Sequence, residues 1–301
     1  MSSILRARGS VGRIASLHRL RATYENWISI VVVVGLLRGR PRHLRLLTGP
    51  ELGPPARWTR VYLLAQVLSE GWGVLRVEGT QALLTTPEAT QLWIRWTHGY
   101  DLENAVEVFR DRVYEIDVNG SVVIDIGASI GDAALFFISK GATRVFSFEP
   151  NPESFALAAA NLTRNRVAHR VILSPEAVGR RTGVAPLFFP QGVPNASSLS
   201  PSRQARLRWK FDSSVPVGVR SLQTVLDAAG SDPIGLVKID AQGGEYDIIC
   251  GSESSTLQRA RAFIIEFTDG AGPLVRHLTA AGFRVQAGSG SRGYLVALRP
   301  A

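Results

Sequence analysis

Four acidic residues each close a short apolar run: Asp125 in VVIDIG, Glu149 in VFSFEP, Asp240 in LVKID and Glu266 in FIIEF. A carboxylate at the mouth of a sheet can accept hydrogen bonds from hydroxyls, balance a cation, or take a proton from a nucleophile. Two glycines four apart, Gly127 and Gly131, follow the first acid at once, and Gly243 and Gly244 follow the third. Glycine permits a sharp turn and lets a ligand approach the main chain. The order acid, glycine turn, acid is that of a nucleotide-binding crevice.

Strands must carry these groups. Val122–Ile126 is apolar except for Asp125, the pattern of a strand buried on both faces of a parallel sheet. A helix is predicted over Ala133–Lys140, with Asp132 as its first-turn acid and Gly141 as its C-cap. Arg144–Phe148 is the second strand, and Glu149 lies just beyond its carboxyl end, where ligands bind in open α/β sheets. Pro150 and Pro152 punctuate the turn into a helix over Glu153–Arg164, and Val171–Leu173 is the third strand. Leu236–Ile239 delivers Asp240, with Glu245 opening a helix that ends at Gly251, and Phe263–Ile265 delivers Glu266. Pro273–Ala281 reads as a helix, and Phe283–Ala287 with Tyr294–Leu298 as a closing antiparallel pair. The fold class is therefore α/β, Rossmann-like, with a mostly parallel seven-stranded sheet closed by an antiparallel hairpin.

The turn limits the ligand. GASIG lacks the middle glycine of G-x-G-x-x-G, which admits a pyrophosphate, and the chain contains no G-K-S/T phosphate loop. An acid placed for ribose hydroxyls without a phosphate cradle fits an adenosyl ligand without phosphates, and S-adenosylmethionine (SAM) meets that description. Glu176, after the third strand, could accept from an adenine amino group.

With these pieces in order, the chain resembles the FkbM family of SAM-dependent methyltransferases. The resemblance runs from about Val113 to Val285, through VIDIGASIGD, FSFEPNPESFALAAANLTRN, EAVG, SLQTVLD, LVKIDAQGGEYDIICG and FIIEF. The family pattern resembles D-x-G-A-N-x-G, F-E-P, L-x-x-N and K-I-D-x-E-G-x-E. Ser129 stands where the family usually has Asn, and Gln242 where it usually has Glu. The resemblance implies a class I methyltransferase with SAM as cofactor. It places cofactor contacts at Asp125, Gly127, Ala128, Ser129, Gly131 and Asp132, at Glu149 and Pro150, and at Glu176 and Ala177. Asn161 matches the family's helix Asn and is expected to order the helix.

Methyl transfer to a hydroxyl requires alignment of the reacting atoms and a base for the proton. Asp240 and Glu245 are the first candidates for that base, followed by Glu266, and each could equally anchor the acceptor. Lys238 and Gln242 are candidate substrate contacts. A metal would need several converging oxygen ligands. The neutral Gln242 weakens that route, so no metal site is assigned.

Composition bounds the rest. The chain has 301 residues, 45% of them hydrophobic, enough for one large domain and an appendage. The boundary is placed at 112/113, with 113–301 as the methyltransferase domain. Residues 1–112 then form a helical and partly β appendage that could cover the substrate. It contains the Pro/Gly-rich stretch 48–57 and a hairpin within Val74–Thr86. One cysteine, Cys250, excludes a disulfide framework and is read as core, in keeping with a cytoplasmic protein.

The net charge of +9 comes almost wholly from arginine, with only Lys140, Lys210 and Lys238 as lysines. Five of the arginines (6, 8, 13, 19 and 21) precede residue 24, interleaved with apolar residues at helical spacing. The bland reading of that segment is a solvated extension, and the sharper ones are a basic amphipathic helix on a membrane surface or a transit-like segment. Ile28–Leu37 is too short to span a bilayer and reads as a docked helix, or with residues 1–40 as a peripheral membrane contact. The stretch 180–214 reads as irregular and polar, with RLRWKF as a basic aromatic loop.

Two functions remain open at this level. One is O-methylation of a hydroxyl on a sugar, glycan or secondary metabolite, with a small-molecule or glycan acceptor and no nucleic-acid partner. The other is a catalytically silent methyltransferase-fold module, kept open by Gln242, that binds nucleic acid or membrane through its basic N-terminus.

Overall fold

The computed structural model describes residues 10–31, 42–55, 57, 59–190, 192–202 and 210–300. The chain divides into two compact units, 1–111 and 112–301.

In the first unit, helices α1 (Ser10–Thr23), α2 (Trp27–Ile30), α3 (Thr59–Ser69) and α4 (Asp101–Phe109) accompany a meander of β1 (Gly73–Glu78), β2 (Gln81–Thr85) and β3 (Gln91–Arg95). The expected hairpin is thus a three-stranded antiparallel sheet. In α1, Leu20 is buried while Arg19 and Arg21 are exposed. Tyr24 follows it, buried, and donates to the Val61 carbonyl at 2.9 Å. The arginines before Ser10, the apolar run beyond Val31 and RLRW of RLRWKF lie outside the described residues. Among the described residues no helix is long and apolar enough to cross a membrane.

Two buried arginines hold the end of this unit. Arg60 donates to the carbonyls of Trp96 and Gly99 and pairs with Glu103 at 2.8 Å. Arg95 pairs with Asp101 at 2.8 Å, both side chains fully buried. Each guanidinium satisfies chain that would otherwise leave carbonyls or a carboxylate unpaired.

The second unit is a seven-stranded sheet in the order β12-β13-β11-β10-β4-β5-β6. The strands are β4 (Val122–Ile126), β5 (Arg144–Phe148), β6 (Val171–Ser174), β10 (Ile234–Ile239), β11 (Ala262–Phe267), β12 (Arg284–Ala287) and β13 (Gly293–Leu298). β6, β5, β4, β10 and β11 are parallel, and β13 runs antiparallel between β11 and β12. Helices α5 (Asp132–Ser139), α6 (Pro152–Arg164), α7 (Leu222–Ala228), α8 (Glu245–Cys250), α9 (Ser254–Leu257) and α10 (Gly272–Ala280) connect or flank the strands. Val122, Ile124, Val237, Ile239, Phe263 and Ile265 form the buried centre. This is the Rossmann-like class I methyltransferase fold, with the hairpin's second strand inserted beside β11.

The stretch 180–214 departs from expectation. β8 (Gly183–Pro190) and β9 (Phe211–Ser221) form a long antiparallel pair, with β7 (Ala177–Gly179) on the far edge of β9. Its small core is Ala177, Leu187, Val217 and Val219. Pro186 and Pro216 face each other across the pair, and Pro216 lies outside the part of β9 bonded to β7. Prolines argue against strands because they lack a donor, and here the two share one rung. Cys250 also differs from expectation. It is exposed, because α8 is short and its final residue turns away from the core side held by Ile248 and Ile249.

Candidate active site

The glycine turn follows from β4. Gly127 has φ +78°, and a Cβ there would collide with the carbonyl oxygen of Asp240. The two parallel strand ends are therefore pressed main chain to main chain, which only glycine permits. Gly127 and Ala128 both donate to the Phe148 carbonyl at 3.0 Å, docking the turn on the end of β5. Ser129 sits at φ +48°, and its N–H donates to Glu149 Oε2 at 2.7 Å. Gly131 (φ +80°) packs against Ala158 of α6, and Asn161 of the same helix donates to the Ile130 carbonyl at 2.9 Å. Asn161 thus orders the turn as well as the helix. Asp132 begins α5, nearly buried.

Glu149 receives a second main-chain donor, Asn151 N–H, at 2.8 Å on Oε1. Each carboxylate oxygen can accept more than one hydrogen bond, so Glu149 retains capacity for a diol. Pro150 separates it from Asn151, whose side chain caps α6 by accepting from Glu153 and Ser154 N–H. Glu176 pairs with Arg220 of β9 at 2.5 Å and accepts from the Ser174 hydroxyl at 2.9 Å. Ala177 beside it is buried at the start of β7.

One rung below the rim, Ser147, Asp125 and Lys238 are register partners across β5, β4 and β10. Asp125 and Lys238 are 0% and 2% exposed. The charges lie 3.1 Å apart, while the aligned hydrogen bonds of Lys238 run to the carbonyls of Ile126 and Gly127 at 3.3 and 2.6 Å. Asp125 Oδ1 is consequently held by charge rather than by an aligned hydrogen bond. Burial alone would lower the lysine's pKa. The carboxylates of Asp125, Asp240 and Asp132 outweigh it, and the net displacement is upward, so the ammonium is retained.

The loop after β10 holds the remaining candidates. Asp240 is half-buried and accepts from Gln242 Nε2 at 2.7 Å. Gln242 sits at φ +50°. Glu245 is fully buried and accepts from Gly243 N–H at 2.7 Å and from Thr268 N–H and Oγ1 at 3.1 and 2.8 Å. Burial pushes its pKa upward against those donors. Glu266 lies inside β11 rather than at its end, opposite Tyr294, with Arg292 at 3.7 Å. The structure therefore brings Asp125, Gly127, Ser129, Glu149, Lys238, Asp240 and Gln242 to one edge. It sets Glu176 toward β9 and Glu245 beneath the second loop.

Sequence reading missed the segment that joins the two loops. Pro194–Ala196 forms a single helical turn, and Asn195 donates to Ser129 Oγ at 3.0 Å. Ser197 accepts from Asn151 at 2.8 Å, and Ser198 donates to the Gln242 carbonyl at 2.7 Å. The two residues that depart from the family pattern are both touched by this strap. The signal lay in NASSLS, whose small polar residues favour such local bridges. Among the described residues no group of three or more His, Cys, Asp or Glu could hold a metal ion.

Known proteins place this geometry. The family model of the methyltransferase FkbM domain matches residues 125–285. The chain is 31% identical over 212 residues to a 31-O-demethyl-FK506 methyltransferase, FkbM, of Streptomyces tacrolimicus, covering 60% of this chain and 81% of that protein. It is 28% identical over 176 residues to the 2-O-methyltransferase NoeI of Sinorhizobium fredii, covering 55% and 71%. It is 27% identical over 207 residues to the hexuronic acid methyltransferase AglP of Haloferax volcanii, covering 66% and 76%. The family match spans more than half of the chain, and the protein belongs to the FkbM family of methyltransferases.

Proposed function

We propose that the protein transfers a methyl group from SAM to a hydroxyl of a sugar, glycan or secondary-metabolite acceptor, with Asp240 as the base. The observation that carries this reading is the close approach of Gly127 to the main chain of Asp240, which brings the glycine turn and the half-buried residue Asp240 together. The residues fit SAM: a turn with no phosphate cradle, a Glu149 carboxylate with accepting capacity, and an acidic edge for a cation. SAM, when bound, supplies an electrophilic methyl group on a sulfonium. Glu149 would hold the ribose hydroxyls, the 127–132 turn the amino-acid end, and Glu176 with Ala177 the adenine.

Gln242 fixes Asp240 Oδ1 and leaves the other oxygen for the proton of the acceptor hydroxyl. Glu245, saturated by three donors, positions the loop and is set aside as the base. Glu266, inside β11 one residue before its end, is kept as an acceptor anchor. Lys238 and Asp125 support the turn from below. Relatives named for 31-O and 2-O methylation support an oxygen as the methyl acceptor, and one named for a hexuronic acid supports a sugar.

Calorimetry with SAM is the first test. Absence of binding at millimolar SAM would leave the silent-module reading. Labelled SAM with fractionated extract of the source cells then identifies the acceptor. With that acceptor, Asp240→Asn should lower turnover about 10²–10⁴-fold with SAM affinity retained. Unchanged turnover would remove Asp240 as the base.

A further inference from the structure

Tyr114 precedes β4 and belongs to none of the motifs read from the sequence. Its ring packs between Phe137 of α5 (6.1 Å) and Tyr294 of β13 (6.0 Å, edge-on), with Lys238 Nζ 5.4 Å from its centre. The residue is 5% exposed. Among the described residues nothing hydrogen-bonds its hydroxyl. The ring is enclosed, but the hydroxyl oxygen is not sealed off with it: among the described residues the buried side-chain atoms that lack a partner are Arg110 Nη1 and Asp125 Oδ1, so the Tyr114 oxygen stays open to a small molecule. Burial pushes this hydroxyl well above the usual phenol range. The charges of Tyr294, Asp240, Glu266 and Asp132 push it the same way, so three strand-end or helix-start carboxylates lie within electrostatic reach.

The acids make the surroundings of that oxygen favourable to a cation, yet the hydroxyl bonds to none of them. The ring face already meets the Lys238 ammonium, so what the side chain has left to offer is its oxygen. We propose that Tyr114 is a cofactor-binding residue whose hydroxyl oxygen contacts the positively charged sulfonium end of SAM at the rim between α5 and β10. The assignment rests on the SAM reading above. It extends the cofactor site to a residue upstream of the glycine turn. It also provides a means of releasing the product, because S-adenosylhomocysteine carries no charge at sulfur and gains less from that oxygen.

Tyr114→Phe tests this with binding alone, since it removes one atom and keeps the ring against Phe137 and Tyr294. Calorimetry with SAM and with S-adenosylhomocysteine should show SAM affinity falling about tenfold, the scale of one hydrogen bond to a charged group, and S-adenosylhomocysteine affinity falling less than about twofold. A tyrosine ultraviolet difference spectrum should appear when SAM is added to the wild-type protein and be diminished in the variant. If wild-type protein binds SAM and Tyr114→Phe binds it equally well, the role of Tyr114 falls while the SAM reading stands. Equal weakening toward both ligands would overturn the contact with the sulfonium. If wild-type protein fails to bind SAM, the underlying reading falls and this one with it. Circular dichroism of the variant confirms that any loss is not misfolding.

Discussion

The loop after β4 and the loop after β10 share a plan. Each leaves a buried parallel strand, holds a non-glycine residue in the left-handed region (Ser129 at φ +48°, Gln242 at φ +50°) and enters a helix with an acid in its first turn. In each, a glutamate accepts a loop N–H: Glu149 from Ser129 and Glu245 from Gly243. The strap reaches both, through Asn195 on the first and Ser198 on the second. Their supports differ. The first loop rests on a buried charge pair, Lys238 with Asp125, and its glutamate comes from the next strand over. The second rests on its own helix-start glutamate, whose donors include Thr268 beyond β11. An acid engaged by three of the protein's own donors beneath a loop serves the fold, and an acid with accepting capacity at the edge suits a ligand. That criterion is the basis for proposing Asp240 and Glu149, and not Glu245, as the acids that meet the ligand.

The largest predicted effect falls on the support of the first loop. Lys238→Met leaves Asp125 buried without its countercharge and strips two carbonyls of their donor. It should cost about 3–5 kcal/mol in urea denaturation. Changing both partners, Asp125→Leu with Lys238→Met, should restore more than half of that loss, because no orphaned charge remains. A single-variant loss under about 1 kcal/mol would show that the first loop does not depend on the pair, and the contrast between the loops would disappear.

The second loop should instead reveal itself through pH. Glu245 has its pKa raised in the folded protein, chiefly by desolvation. Between the ordinary glutamate value and that raised value the folded state holds more proton than the unfolded chain. Stability then falls as pH rises through the window and is regained on acidification. Glu245→Gln removes this titration, so its stability should be flatter than wild type in the window that opens just above the ordinary glutamate value. It should also be lower at the acidic end by about 1–3 kcal/mol, since an amide cannot accept all three donors. Denaturation curves across that range measure both effects. Parallel wild-type and variant slopes would mean that Glu245 titrates normally and is less confined than its contacts indicate.

The contrast also explains what the sequence revealed. Parallel strands are apolar runs, and glycine turns are punctuation, so β4, β5, β10, β11 and the positions of Asp125, Glu149 and Asp240 were legible. The register that pairs Asp125 with Lys238 lies 113 residues apart along the chain, and periodicity carries no such information. The pairing of Lys238, a candidate substrate contact in the sequence, with Asp125 was therefore not legible. The strap was hidden for the same reason, since Asn195 meets Ser129 across 66 residues. β8 and β9 were masked by Pro186, Pro216 and serines that individually signal loops. Tyr114 had no local pattern at all. Its significance is an enclosed ring whose oxygen stays open, which only side-chain placement shows.

The smallest effect concerns the two left-handed residues themselves. Asn tolerates the left-handed region better than Ser or Gln, since its short amide bonds locally to the backbone. Ser129→Asn should therefore stabilise the first loop by about 0.5–1 kcal/mol in thermal or chemical denaturation, with SAM affinity unchanged. Gln242→Asn relieves the same backbone but shortens the arm that holds Asp240, so any gain in stability should come with a fall in turnover. Asn195→Ala provides the control. The serine hydroxyl is bonded to Asn195 in the native loop, and if that bond compensates for the strain, Asn195→Ala should destabilise Ser129 protein more than Ser129→Asn protein. Equal losses in both backgrounds would mean that the strap braces the first loop without answering for its unusual residue. The two departures from the family pattern would then have separate physical causes.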